Sequence, residues 1–145
     1  GNDDRPLWVS FTLRDEQKSP EDSPRLRSGQ KVKGAVRSAI GLGASAILFN
    51  CSRPEVMSRA VEAAIEELTS AHIFLPAGVY ANAFPTQQGD TLANSDLHDI
   101  RPDLDPLSYL GFVDAWCRRG ATIIGGCCGI GPEHIAVLRR WLQEK

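Results

Sequence analysis

The sequence predicts an α/β protein of four βα units on one parallel sheet, and three observations predict it. Short apolar runs alternate four times with segments whose apolar residues recur at helical spacing. Those runs are apolar almost without interruption, the pattern of parallel strands buried on both faces. One βα unit is also repeated. Gly43-Ala-Ser-Ala-Ile-Leu-Phe-Asn-Cys51 followed by Pro54-Glu55 parallels Gly120-Ala-Thr-Ile-Ile-Gly-Gly-Cys-Cys128 followed by Pro132-Glu133.

The first strand is Leu7 to Leu13, short and rich in β-branched and aromatic residues, and a polar stretch from Arg14 to Gln30 follows it as a long loop. Val32, Val36, Ala39 and Ile40 mark a helix that Gly41 and Gly43 stop. Ser45 to Phe49 is the second strand, ending at Asn50-Cys51. Pro54 suits a first helical position, and Met57, Ala60, Val61, Ala64 and Leu68 line one face of the helix it starts. His72 to Tyr80 reads as the third strand and Ala83 to Asp105 as a second polar loop. Leu107, Leu110, Val113 and Cys117 stripe the next helix, which Gly120 ends. Ala121 to Ile124 is the fourth strand, and Ile135, Leu138 and Leu142 belong to a last helix after Pro132.

Composition narrows the function. With 42% hydrophobic residues, the 145-residue chain can core one domain, residues 1–145, and is short for two. A formal net charge of −2 with scattered Lys and Arg leaves no footprint for nucleic acid or an anionic membrane. No run approaches the roughly 18 apolar residues that span a bilayer, and the first residues lack an apolar signal core, so a soluble, cytoplasmic protein is expected. The chain opens on Gly1 rather than Met, as a tagged or cut chain would. Four cysteines in a chain rich in helix and strand patterns read as reduced thiols, and no Cys-x-x-Cys pair supports a zinc ribbon or a thioredoxin-like site.

The repeated unit places cysteines at equivalent positions, eight residues past Gly43 and past Gly120. The carboxyl ends of parallel strands share one face, where sites form in barrels and open sheets alike, so Cys51, Cys127 and Cys128 belong to that face. Three thiolates suit zinc, and three protein ligands leave its fourth position open, as in catalytic sites. Successive side chains of a strand point to opposite faces, so adjacent cysteines need irregular backbone, which Gly125, Gly126 and Gly129 permit. The alternatives are buried apolar cysteines or a strained vicinal disulfide. Cys117, on a helix stripe, reads as core.

Gly125-Gly-Cys-Cys-Gly129 with Gly131-Pro-Glu-His-Ile135, Phe49-Asn-Cys51 about 75 residues earlier and Trp8-Val-Ser-Phe11 before that resemble the zinc-dependent homocysteine S-methyltransferase family. The resemblance implies a (β/α)8 TIM-type barrel of which this chain is the second half. It also implies that Cys51, Cys127 and Cys128 bind zinc and that homocysteine joins them through sulfur to be methylated to methionine. S-methylmethionine, betaine and methylfolate users share the motif, so the methyl donor stays open. A metal that holds the substrate thiol as thiolate removes the need for a general base, in keeping with no evident catalytic role for His72, His98 or His134. His134 is expected on the exposed first turn of the last helix.

Asn50 and Asn82, at predicted strand ends, are candidates to hydrogen-bond the amino acid portion of a substrate, although asparagine also suits turns. Gly126, beside the cysteine pair, is a third substrate-binding candidate. Ser10 either points into the barrel or packs. Gly41-Leu-Gly-Ala-Ser-Ala46 matches a dinucleotide fingerprint only superficially, because it follows a helix and precedes a strand.

Length departs from the family. At about 36 residues per unit, eight units need about 290, against about 250 or more for this barrel. A half barrel leaves strand edges and an apolar face open. Two expectations follow: the metal-bearing half of an enzyme, completed by an N-terminal half, another chain or self-pairing as a homo-oligomer, or a non-catalytic zinc- or thiol-binding module.

Overall fold

The computed structural model of the chain describes residues 5–16, 22–86 and 100–144. Four strands, β1 (Trp8–Thr12), β2 (Ala46–Asn50), β3 (Ala77–Tyr80) and β4 (Ala121–Ile124), alternate with α1 (Val32–Gly41), α2 (Pro54–Ser70), α3 (Pro106–Arg118) and α4 (Pro132–Gln143). The strands form one sheet in chain order, and each neighbouring pair is parallel. The predicted α/β architecture of four βα units is therefore present, and it is consistent with part of a TIM-type barrel. The dinucleotide-like segment falls where expected, between the end of α1 and the start of β2.

The helices cover one face of the sheet. Phe11, Phe49 and Val79 sit at paired positions across β1, β2 and β3 and meet Val36, Met57 and Val61 in the core. Complete burial of each such side chain contributes about 1.5–3 kcal/mol. The opposite face carries Trp8, Ser10, Leu48, Tyr80 and Ile123, and among the described residues no helix lies on it. Burial on both faces thus fails for β1, whose Trp8 is 57% exposed. Val9, Phe11, Ile47 and Ile124 pack on the helix side, not on the open face.

Three local expectations are corrected. β3 starts at Ala77, not His72, because the ladder of β2 offers partners only from Ala46 and Ile47 onward; the upstream Phe74 is 99% exposed. On α3 the fully buried stripe is Tyr109, Val113 and Trp116; of the predicted residues Leu110 and Cys117 pack half-buried against the core, and only Leu107 lies out in solvent. That stripe follows i, i+4, i+7, shares Val113 with the predicted one, and puts two aromatic rings inside. On α4 the buried residues are His134 and Leu138, with Ile135 and Leu142 exposed.

The loop after β1 is not wholly irregular. Leu13 bridges Leu26 and Arg25 bridges Lys31, both antiparallel, and Leu26 is buried in this small fold. The stretch 87–99 of the second predicted loop lies outside the described residues, as does His98. Among the described residues no helix is long and apolar enough to cross a membrane.

Candidate metal centre

The carboxyl end of β2 turns sharply at Cys51, whose φ of 49° is in the left-handed region. The Cys51 amide still donates to the Tyr80 carbonyl at 3.2 Å, prolonging the pairing with β3 by one residue. Ser52 locks the turn from beneath. It is fully buried, its Oγ accepts from the Leu13 amide at 2.8 Å, and its hydroxyl donates to the Asn50 carbonyl at 2.9 Å. The Arg53 amide then donates to Asp15 Oδ1 at 2.9 Å, and Pro54 starts α2.

Beyond β4, Gly125 donates to the Val79 carbonyl and Cys127 to the Ala81 carbonyl, both at 2.9 Å, so the cysteine segment follows the end of β3. The Ala83 amide donates to the Cys128 carbonyl at 2.9 Å and closes the segment from the other side. Gly129, at a φ of 79°, makes the reversal that an L side chain resists. A Cβ on Gly126 would lie 2.2 Å from Ile130 Cγ2, so no side chain fits there.

These turns bring the sulfurs of Cys51, Cys127 and Cys128 within 4.8 Å of one another. Cys127 and Cys128, both free thiols, are 3.8 Å apart. Two thiolates each about 2.3 Å from a zinc ion at a tetrahedral angle lie about 3.8 Å apart, so the Cys127–Cys128 pair has the spacing of two zinc ligands, and three thiols suit that metal in type. Cys128 is exposed and the other two are half-buried, which leaves the cluster open to a small ligand. Burial pushes the Cys127 thiol up, helped by the neighbouring Cys51. Burial raises Cys128 as well, with Cys127 adding to it. Without a cation both therefore favour the neutral thiol, and a bound divalent ion reverses that preference.

The other sequence candidates divide. Asn50 directly precedes Cys51, and its Oδ1 accepts from Thr12 Oγ1 at 3.1 Å. Asn82 is buried, its Oδ1 accepting from the Phe84 amide at 3.3 Å in a turn and its own amide donating to the Ser52 carbonyl at 3.0 Å. Ser10 is on the sheet face opposite the helices, and its Oγ accepts from the Tyr80 hydroxyl at 2.6 Å. His134 is not exposed: it is 6% accessible, Nδ1 accepts from the Gly131 amide, and Nε2–H donates to the Leu104 carbonyl. His72 sits in the turn after α2.

Sequence reasoning missed two residues that support the site. Tyr109 donates from its hydroxyl to the Gly125 carbonyl at 2.8 Å, and burial pushes its phenol pKa upward. His134 holds Gly131 at the far end of the same segment. The spacing of Tyr109, Val113 and Trp116 was the available indication for the first.

Comparison with known proteins finds relatives over nearly the whole chain. The family described as homocysteine S-methyltransferase matches residues 2–142. Homocysteine S-methyltransferase of Escherichia coli (strain K12) is 30% identical over 132 residues, covering 91% of this chain and 37% of its own length. Homocysteine S-methyltransferase 4 of Zea mays is 27% identical, covering 96% of this chain and 36% of its own length. Selenocysteine methyltransferase of Astragalus bisulcatus is 23% identical over 144 residues. The chain thus spans little more than a third of the length of these relatives, all named as methyltransferases. With residues 2–142 of its 145 matched to the family and three thiols converging at the carboxyl ends of parallel strands, the chain belongs to the homocysteine S-methyltransferase family.

Proposed function

We propose that this chain is the metal-bearing half of a methyltransferase barrel that forms methionine from homocysteine, with zinc held by Cys51, Cys127 and Cys128. The observation that carries the reading is the convergence of the three sulfurs within 4.8 Å at the carboxyl ends of the strands. Bound there, zinc supplies the charge that keeps a substrate thiol deprotonated near neutral pH, so that its sulfur can attack an activated methyl group.

The chain's own residues hold the ligands and shape the space. Asn50 and Asn82 are the proposed contacts for the amino acid portion of the substrate. Each spends Oδ1 on the protein, and neither Nδ2 has a hydrogen-bond partner among the described residues. Gly126, the third proposed substrate contact, lets Ile130 pack close against the cysteine segment, where a side chain would collide with it. A small-molecule methyl donor and a cytoplasmic location belong to this reading.

The sheet face without a helix among the described residues and the 36–37% of the relatives' length that the chain spans support completion by an N-terminal half or by a second copy. The same two facts favour the second reading, a zinc- or thiol-binding module without turnover. Methionine formation from homocysteine and S-methylmethionine, with and without the separately produced first half of the Escherichia coli relative, decides between them. Product in either condition supports the enzyme. Tight zinc binding with no product in both supports the module.

A further inference from the structure

Residues 125–131 carry two of the three thiols yet lie between β4 and α4 without regular structure of their own. Their conformation therefore depends on what holds their ends. At the first end Tyr109, wholly buried on α3, donates its hydroxyl to the Gly125 carbonyl at 2.8 Å. At the last end His134 Nδ1 accepts from the Gly131 amide at 3.2 Å, while Nε2–H is pinned to the Leu104 carbonyl at 2.8 Å. The two rings touch each other edge to face, with centroids 5.8 Å apart and planes at 90°. Trp116 braces the Tyr109 ring from another side, 5.5 Å away and also edge-on.

A core built for stability alone would use Phe and Leu at such positions, because a buried hydroxyl or imidazole costs free energy unless its partners are fixed. Here each polar group has its partner, and both reach the cysteine segment. Groups that orient metal ligands without touching the metal typically change affinity 10–100-fold when removed.

We propose that Tyr109 and His134 act together as a positioning clamp that sets where the Cys127 and Cys128 sulfurs stand, and hence how tightly zinc is held. The proposal rests on the zinc reading of the three cysteines.

The test uses the full reduced chain and Tyr109→Phe, which keeps the ring and deletes the hydroxyl. Expected results are zinc release to a chelator faster by about 10–100-fold, and an altered thiolate-to-metal band in the cobalt-substituted protein. His134→Gln should shift the same two readouts, which keeps the test intact if one variant does not fold. Val113→Ala, on the same buried face of α3, should lower thermal stability and leave the cobalt spectrum unchanged. Wild-type release rates and spectrum in both clamp variants would overturn the clamp while leaving zinc binding standing. If the wild type binds no metal at the cysteines, the zinc reading itself fails. The clamp is then judged on metal-free protein, where Tyr109→Phe must speed alkylation of Cys127 and Cys128 relative to Val113→Ala; equal rates reject it.

Discussion

Cys51 and Cys127 hang from consecutive carbonyls of one strand end: the first donates its amide to Tyr80 and the second to Ala81. Their own strands, β2 and β4, are not neighbours in the sheet, and β3 stands between them. β3 is thin on the face opposite the helices, where a Cβ on Gly78 would lie 2.9 Å from both Leu48 Cδ2 and Ile123 Cβ. Side chains of β2 and β4 therefore close over β3, and the sulfurs beyond the strand ends converge. A Gly78→Val substitution should cost about 1–3 kcal/mol by overpacking and loosen metal binding, measured by denaturant unfolding and competitive zinc titration.

The metal prediction follows from the cluster. Reduced protein should bind one zinc per chain, and serine at Cys51, Cys127 or Cys128 should each weaken it. Cys117→Ser should not, since Cys117 belongs to the core side of α3 and not to the cluster. Elemental analysis of the four variants checks this, and equal zinc in all of them would reject the assignment.

Homocysteine should alter the thiolate-to-metal charge-transfer spectrum of cobalt-substituted protein, because one coordination position is left for a substrate sulfur. A metal that stays bound with no spectral response at millimolar homocysteine would support the non-catalytic module instead.

Ser52→Ala should destabilise the fold by about 1–3 kcal/mol, since it strips the buried Leu13 amide of its partner. The loss should appear in the denaturation midpoint and, because Ser52 adjoins Cys51, in zinc affinity as well.

Acid should weaken the rim of the site through Glu55. Burial pushes its carboxyl up, but the hydrogen bond from Arg101 and the nearby positive charges outweigh this and hold it below its ordinary value. The folded-state pKa is depressed, so the stabilisation is complete above the unfolded-state value of about 4.3 and fades as pH falls through the lowered one. Melting temperatures from pH 6 to pH 3 should fall less steeply for Glu55→Gln than for the native chain.

Assembly follows from the face of the sheet on which, among the described residues, no helix lies. Trp8 is 57% exposed there, and β1 and β4 are both edge strands. A dimer or larger species is expected in solution, with β1 and β4 at the interface and Trp8 emission shifted to the blue on association. Light scattering that gives a stable monomer at micromolar concentration would oppose this.

What the sequence determined by itself was local and periodic. Apolar runs and helical spacing marked the four βα units, since strand and helix formation depend on near neighbours. The repeated glycine-to-cysteine spacing put Cys51 and Cys128 at equivalent strand ends, and the double-cysteine motif supplied the family resemblance. Only the tertiary structure decided which helix face is buried. Leu107 looked like core by hydropathy, whereas Tyr109 and Trp116 are inside because their large rings fill the space between α3 and the sheet. His134 likewise looked like an exposed first-turn residue. Its burial depends on the Leu104 carbonyl, 30 residues earlier, and a hydrogen bond between residues so distant in the chain leaves no trace in local periodicity.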